Sequence, residues 1–400
     1  MNSHRSIWRK TGSVLRTLFL GFFPLILMLA LVLQTAHRES SAPPSSILER
    51  APTRLPQSYS EVPFNFGRGY IGDGWRLYFT EPDASAERES YEGGIETALV
   101  EAINETRDSL DIAAFELNSG PIYQAILEAH ERGVAVRIVT DDEHGLHDEA
   151  NDALRKLRAA GLPLVDDERS GLMHNKFIIL DGRTVWTGSW NFTVNGTYRN
   201  NNNAFVMVSG EAAAAYQAEF DEMYERGEFG TRSTDDGIHS FPQGEGAVSV
   251  IFAAEGDEVG ALRAEIEAAA RSIHIMTFVF SLEELAEAIL LQAARDDVVV
   301  QGIFEKRNST ATWSQLPALH CAGADMRQDG NPFTLHHKVI IIDERTVISG
   351  SFNFSRSGAR SNDENIVIIR DPTIAGLYLA EWRRIWDSAT ELAPAEVDCD

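Results

Sequence analysis

The sequence predicts an α/β protein of two tandem repeats behind an N-terminal membrane segment. Each repeat is expected to be a mostly β-sheet core flanked by helices, the two packed about a pseudo-twofold axis. Three observations predict this. HNKFIILDGRTVWTGSWNF (174–192) returns without a gap as HHKVIIIDERTVISGSFNF (336–354). In both halves, β-branched runs alternate with stretches of helical apolar spacing. Ahead of both lies an uncharged run of 20 residues, 17–36.

That run, TLFLGFFPLILMLALVLQTA, has about the length that crosses a hydrocarbon core. Arg5, Arg9, Lys10 and Arg16 precede it with no acid among them, which orients the N-terminus to the cytoplasm. Residues 1–36 therefore read as a signal anchor, with the body on the extracytoplasmic side of the cell membrane. The rival reading is a signal peptide cleaved after Thr35-Ala36, giving a secreted or periplasmic product. Residues 37–65 are rich in Pro and Ser and read as a tether.

The first domain is expected over 66–232 and the second over 233–395, joined by a Gly/Asp/Ser/Pro stretch near 227–246. GIETALVEAINETRDSLDIAAFEL (94–117) has helical spacing followed by a short β-run, and VGALRAEIEAAARSIHIMTFVF (259–280) answers it. Each is followed by a second helical stretch and then a β-branched run, Val134–Val139 and Val298–Phe304. Phe177–Leu180 and Val339–Ile342 lack alternation, so they read as central strands buried on both faces. AEFDEMY (218–224) and AEWRRIW (380–386) close each copy at the same 162-residue offset as the motif.

Composition narrows the function classes. A chain of 400 residues with 44% hydrophobic side chains can bury substantial cores, which rules out a disordered or collagen-like protein. A net charge of −25 opposes indiscriminate coating of nucleic acid. The two cysteines, Cys321 and Cys399, have no spacing that suggests a zinc site, and nothing in the sequence places them together.

Each copy carries His-x-Lys, then Asp, then Gly-Ser-x-Asn. These are His174, Lys176, Asp181, Ser189 and Asn191 in the first, and His336, Lys338, Asp343, Ser351 and Asn353 in the second. Two residues apart on a strand, His and Lys share a face. The chain then turns at Asp181-Gly182 or Asp343-Glu344 and returns, which can bring Ser and Asn beside them. Two such faces joined would surround one point with two imidazoles, two ammonium groups and amide donors. That arrangement suits a phosphodiester. One imidazole can attack phosphorus while the other handles the leaving-group proton, and the lysines supply the charge a metal would otherwise bring.

The doubled, identically spaced motif resembles that of the phospholipase D superfamily over roughly residues 66–395. It is similar in wording to cardiolipin hydrolase-type and bacterial nuclease-type members. The resemblance implies a phosphodiesterase needing no metal or other cofactor, hydrolysing phospholipid through a phosphohistidine. By analogy His174 is the nucleophile and His336 the general acid, although the sequence does not establish that order. Lys176 and Lys338 are expected to be catalytic, as are Asp181 and Asp343, which also read as turn caps. Ser189, Asn191, Ser351 and Asn353 are candidates to bind substrate. So is Glu364, which stands where the first copy has Asn202 and where the family often places an acid that orients a histidine. The expected partner is a phospholipid membrane, reached by a monomer that is internally a pseudo-dimer. The alternatives are an endonuclease cleaving DNA or RNA, and a phosphatidyltransferase of cardiolipin synthase type.

The acidic run Asp141–Glu149 matches no ligand template and reads as a solvated loop rather than a metal site. Phe115, Phe278, Phe280, Trp382 and Trp386 read as core. Trp186, Trp190 and Phe352 adjoin the motif and are candidates to line a lipid or base pocket.

Overall fold

In a computed structural model, the described residues are 59–149, 152–234, 237–307, 309–393 and 397–399. The expected membrane segment (17–36) and the tether up to residue 58 lie outside them. Among the described residues no helix is long and apolar enough to cross a membrane.

The body, Leu55–Asp400, holds two nine-stranded sheets that follow one plan. In the first repeat, Lys176–Leu180 lies between Thr184–Gly188 and Ser109–Ala114, antiparallel to both. Ser109–Ala114 then pairs in parallel with Ala135–Thr140, which pairs in parallel with Leu164–Asp166. The second repeat repeats the pattern. Lys338–Ile342 sits between Thr346–Gly350 and Ser272–Thr277, and the latter leads to parallel Val299–Phe304 and Asp325–Gln328. The mixed α/β architecture in two copies matches the sequence expectation.

The unbroken apolar runs at the centre have a simple cause. Alternate side chains enter different cores. Phe177 and Ile179, with Val339 and Ile341, join one cluster shared by both repeats. Ile178 and Leu180 face a core of the first repeat alone, and Ile340 and Ile342 one of the second. The helices Gly210–Asp221 and Pro372–Trp386 supply Tyr216 and Tyr378 to the shared core. All three cores lie within Leu55–Asp400, so this unit buries its own apolar surface.

The repeats are tied by reciprocal contacts, as twofold-related copies require. Thr334–Leu335, just before His336, pairs in parallel with Asn200–Asn201 of the other repeat. Met173, just before His174, forms the equivalent bridge to Asp363. Deeper in, Thr187 Oγ1 and Tyr216 OH donate to Asn365 Oδ1, at 2.6 and 3.1 Å. Ser349 Oγ and Tyr378 OH do the same to Asn203 Oδ1, at 3.1 and 3.2 Å. Cys321 and Cys399 form a disulfide that fastens the C-terminal segment to the helix Leu316–Cys321.

Candidate active site

Each His-x-Lys leads into a central strand that begins at its lysine, Lys176 or Lys338, at the repeat interface. His174, Lys176, His336 and Lys338 are all buried. Lys176 Nζ donates to the His174 carbonyl at 2.6 Å, and Lys338 Nζ to the His336 carbonyl at 2.8 Å. The four groups sense one another. Burial first, and then the two ammonium charges, hold both imidazoles well below their ordinary pKa. Burial likewise lowers Lys176 to about 8 and pushes Lys338 well down.

The two histidines are held differently. His174 Nδ1 lies 2.7 Å from Glu364 Oε2, a carboxylate of the other repeat. Glu364 is fully buried and also accepts from Ser351 Oγ at 2.7 Å and Asn362 Nδ2 at 3.3 Å. Burial pushes Glu364 up to about 7, against the pull of Lys176. His336 Nδ1 instead meets Asn202 Oδ1 at 2.9 Å and the Ser189 carbonyl at 3.0 Å. Asn202 Nδ2 donates to the Gly196 carbonyl, so its oxygen faces the imidazole and His336 carries its proton on Nδ1. Both rings are thus held through Nδ1.

The motif serines support these holders. Ser189 Oγ donates to Asn202 Oδ1 at 2.9 Å, as Ser351 Oγ does to Glu364. Asn191 Nδ2 donates to Glu116 Oε2 at 2.9 Å, while Asn191 Oδ1 and Asn353 Oδ1 are buried without a hydrogen-bond partner.

Asp181 and Asp343 are not brought to the cluster. They sit at the opposite ends of their strands, in left-handed backbone with φ of 51° and 53°. Asp181 accepts from the backbone N–H groups of Arg107, Asp108 and Ser109 at 2.7–3.1 Å. Asp343 accepts from those of Ala270, Arg271 and Ser272 at 2.6–3.0 Å. Their turn-capping reading holds and the catalytic one does not, because a strand rising about 3.3 Å per residue carries them some 20 Å from His174 and His336.

Other expectations also change. Phe115 and Phe278 are not simply core. Phe115 lies against the His174 ring (4.7 Å) and under Lys176 Nζ (4.7 Å). Phe278 lies against His336 (5.0 Å) and Lys338 (5.0 Å). Conversely, Trp186, Trp190 and Phe352, candidates for a pocket wall, are buried in the outer cores. The acidic run is not a solvated loop throughout. Asp141 is buried, accepting from His144 N at 2.7 Å and Met173 N at 3.2 Å. Asp141, Asp142 and Asp167 lie close enough to hold a metal ion, but backbone N–H groups already occupy both oxygens of Asp141 and Oδ1 of Asp167.

Sequence reasoning missed Glu116, beside Lys176 and Asn191, whose carboxyl is raised by burial. Its signal is an asymmetry. Phe115 aligns with Phe278, so Glu116 aligns with the neutral Val279. It also missed Asn203 and Asn365, which share the repeat offset.

A family model described as "Cardiolipin synthase, PLD-like domain" matches residues 99–224 and again 262–386. The mitochondrial cardiolipin hydrolase of Chlamydomonas reinhardtii is 35% identical over 117 residues, 29% of this chain and 52% of that protein. The phospholipase D of Rickettsia prowazekii is 36% identical over 118 residues, 30% of this chain and 57% of that protein. The chain thus spans about half the length of the curated relatives it matches. The phosphatidylserine synthase of Haemophilus influenzae shares the fold, with a TM-score of 0.58 at 13% identity over 74% of this chain and 85% of that one. With both copies of the motif in place and the family match covering more than half its length, the chain belongs to the phospholipase D superfamily.

Proposed function

We propose that this protein hydrolyses phospholipid phosphodiester bonds through a phosphohistidine formed on His174. The observation that carries the reading is the unequal holding of the two imidazoles. A carboxylate behind His174 Nδ1 makes Nε2 more nucleophilic and stabilises the cationic phosphoimidazolium. A neutral amide behind His336 gives no such hold on a second proton, so its imidazolium releases that proton readily.

In the first step His174 Nε2 attacks phosphorus and the bond from phosphorus to the leaving oxygen breaks. The proton on His336 Nε2 passes to that oxygen. In the second step His336 takes a proton from water, the hydroxide attacks phosphorus, and the N–P bond breaks with its electrons returning to His174. Lys176 and Lys338 neutralise the equatorial oxygens, a role for which no metal is required. The bound anion in turn offsets the two ammonium charges that depress His336, favouring its protonated form before attack.

A phospholipid substrate is supported by the names of the two curated relatives and by the acidic body, which disfavours polyanions. An extracytoplasmic site is supported by the Cys321–Cys399 disulfide, a bond that persists in oxidising compartments. Transfer to an alcohol needs only that the alcohol replace water in the second step.

The test assays the protein in EDTA with phospholipid vesicles and single-stranded nucleic acid side by side, with His174→Ala and His336→Ala as controls. Lipid cleavage abolished by both substitutions supports the proposal. Nucleic-acid cleavage without lipid turnover replaces it with the nuclease reading, and complete loss in EDTA refutes metal independence.

A further inference from the structure

The two repeats are alike at the reacting centre and unlike at its mouth. Equivalent segments follow Ala135–Thr140 and Val299–Phe304, and each is anchored beside a histidine. Asp141 Oδ2 accepts from Met173 N, and Glu305 Oε2 accepts from Leu335 N, the residues before His174 and His336. Past that shared anchor the chemistry diverges. The first repeat presents Asp142, Glu143, Asp148 and Glu149. The second presents exposed Lys306 and Arg307, and further on Trp313. Trp313 is 46% exposed, whereas the other described tryptophans are buried or half-buried.

This second lip is fixed to the site at both ends. Arg307 Nη2 donates to the Phe333 carbonyl at 2.6 Å, three residues before His336, and its Nε pairs with the buried Glu305 Oε1 at 2.6 Å, so the net positive charge of the segment comes from Lys306. Gln315 N, two residues past Trp313, donates to the Phe280 carbonyl at 3.0 Å, two residues past the Phe278 that touches His336. Arg199 extends the lip, its guanidinium 5.1 Å from the Phe333 ring and 5.7 Å from that of Tyr91.

We propose that the lip of Lys306, Arg307 and Trp313 docks on an anionic phospholipid surface and presents the His174–His336 site to the headgroups. The inference rests on the phospholipid reading above and names how that substrate is reached. Three things favour a bilayer. Indole is amphipathic and settles at the headgroup level. A cationic lip on a body of net charge −25 complements an anionic surface where the rest of the protein is repelled. A nucleic-acid strand spanning both repeats at the site would meet the four acids of the first repeat's segment, whereas a bilayer can be met by one lip alone.

The test uses Leu55–Asp400, which buries its own cores, so that the expected membrane segment does not contribute. Co-sedimentation is measured with vesicles of phosphatidylcholine alone and with about one third phosphatidylglycerol. Turnover of bis(4-nitrophenyl) phosphate, a soluble diester, reports folding and chemistry in each variant. Binding is expected only to the anionic vesicles. Lys306→Glu should weaken it about 30-fold, since one charge is reversed. Trp313→Ala should weaken it about tenfold through lost apolar burial, with soluble-diester turnover retained in both. Vesicle binding unchanged by both substitutions overturns the proposal. So does loss of single-stranded DNA binding, rather than vesicle binding, in the two variants. Docking through the lip without phospholipid cleavage would sustain the surface and refute the substrate reading, so the two failures are distinguishable.

Discussion

Glu364→Gln removes one charge while nearly conserving shape, and so isolates what the carboxylate does for His174. The pair is 2.7 Å apart and Glu364 is fully buried, so solvent screens little of the interaction. A hydrogen bond to a charged group contributes about 1.5–3 kcal/mol, against about 1 for a neutral one. The difference, about 1–2 kcal/mol, is felt where the imidazole gains positive charge, in the attack on phosphorus. That converts to about a 5- to 30-fold loss of kcat. The pH profile gives a second readout. Because burial pushes Glu364 up to about 7, the carboxylate form is lost as pH falls through that value, and the wild-type rate should fall with it. In Glu364→Gln this acid limb should vanish while a smaller rate persists. A variant within twofold of wild type, with its acid limb intact, would refute the assignment of His174 as the carboxylate-backed nucleophile.

The general-acid role of His336 predicts that His336→Asn loses about 10²- to 10⁴-fold in kcat/KM, which reports the first step, on an alkyl phosphodiester and far less when 4-nitrophenolate departs; equal losses in kcat/KM would remove His336 from that role. Asp181→Asn should cost about 1–3 kcal/mol of stability, measured by urea unfolding, by weakening the cap on three backbone N–H groups. Its kcat should stay at the wild-type value, and a large loss of kcat in the folded variant would return Asp181 to the site. Burial, reinforced by Glu305, raises Asp329 from 3.8 to about 6, so its ionised form penalises the fold above that pH and not below 3.8. Asp329→Asn should therefore gain relative stability between pH 4 and pH 7.5, by about 3 kcal/mol at most; a difference independent of pH would contradict this.

Much of the protein is legible in its sequence because duplication writes the same solution twice. The 162-residue offset marks the paired strands, the motif residues and the helices that close each repeat. It also contained signals left unread, including Asn203 and Asn365 in the repeat interface and Glu116 opposite Val279. Where one side chain carries two messages, local reading is ambiguous. Phe115 and Phe278 have the periodicity of core residues yet lie against the histidines and lysines. Trp186 adjoins the motif yet stacks on Tyr78 in the core, 5.1 Å between rings.

The sequence by itself determined the two-repeat α/β fold, the doubled His–Lys pairs and the inequality of Glu364 and Asn202. Those follow from periodicity, spacing and internal alignment, which are properties of a line. Only the tertiary structure decided that each holder crosses to the opposite repeat, Glu364 to His174 and Asn202 to His336, and that Asp181 and Asp343 stay behind at the turns. The partner of an imidazole 190 residues away is set by how two cores meet across the repeat interface, and no local pattern encodes that meeting.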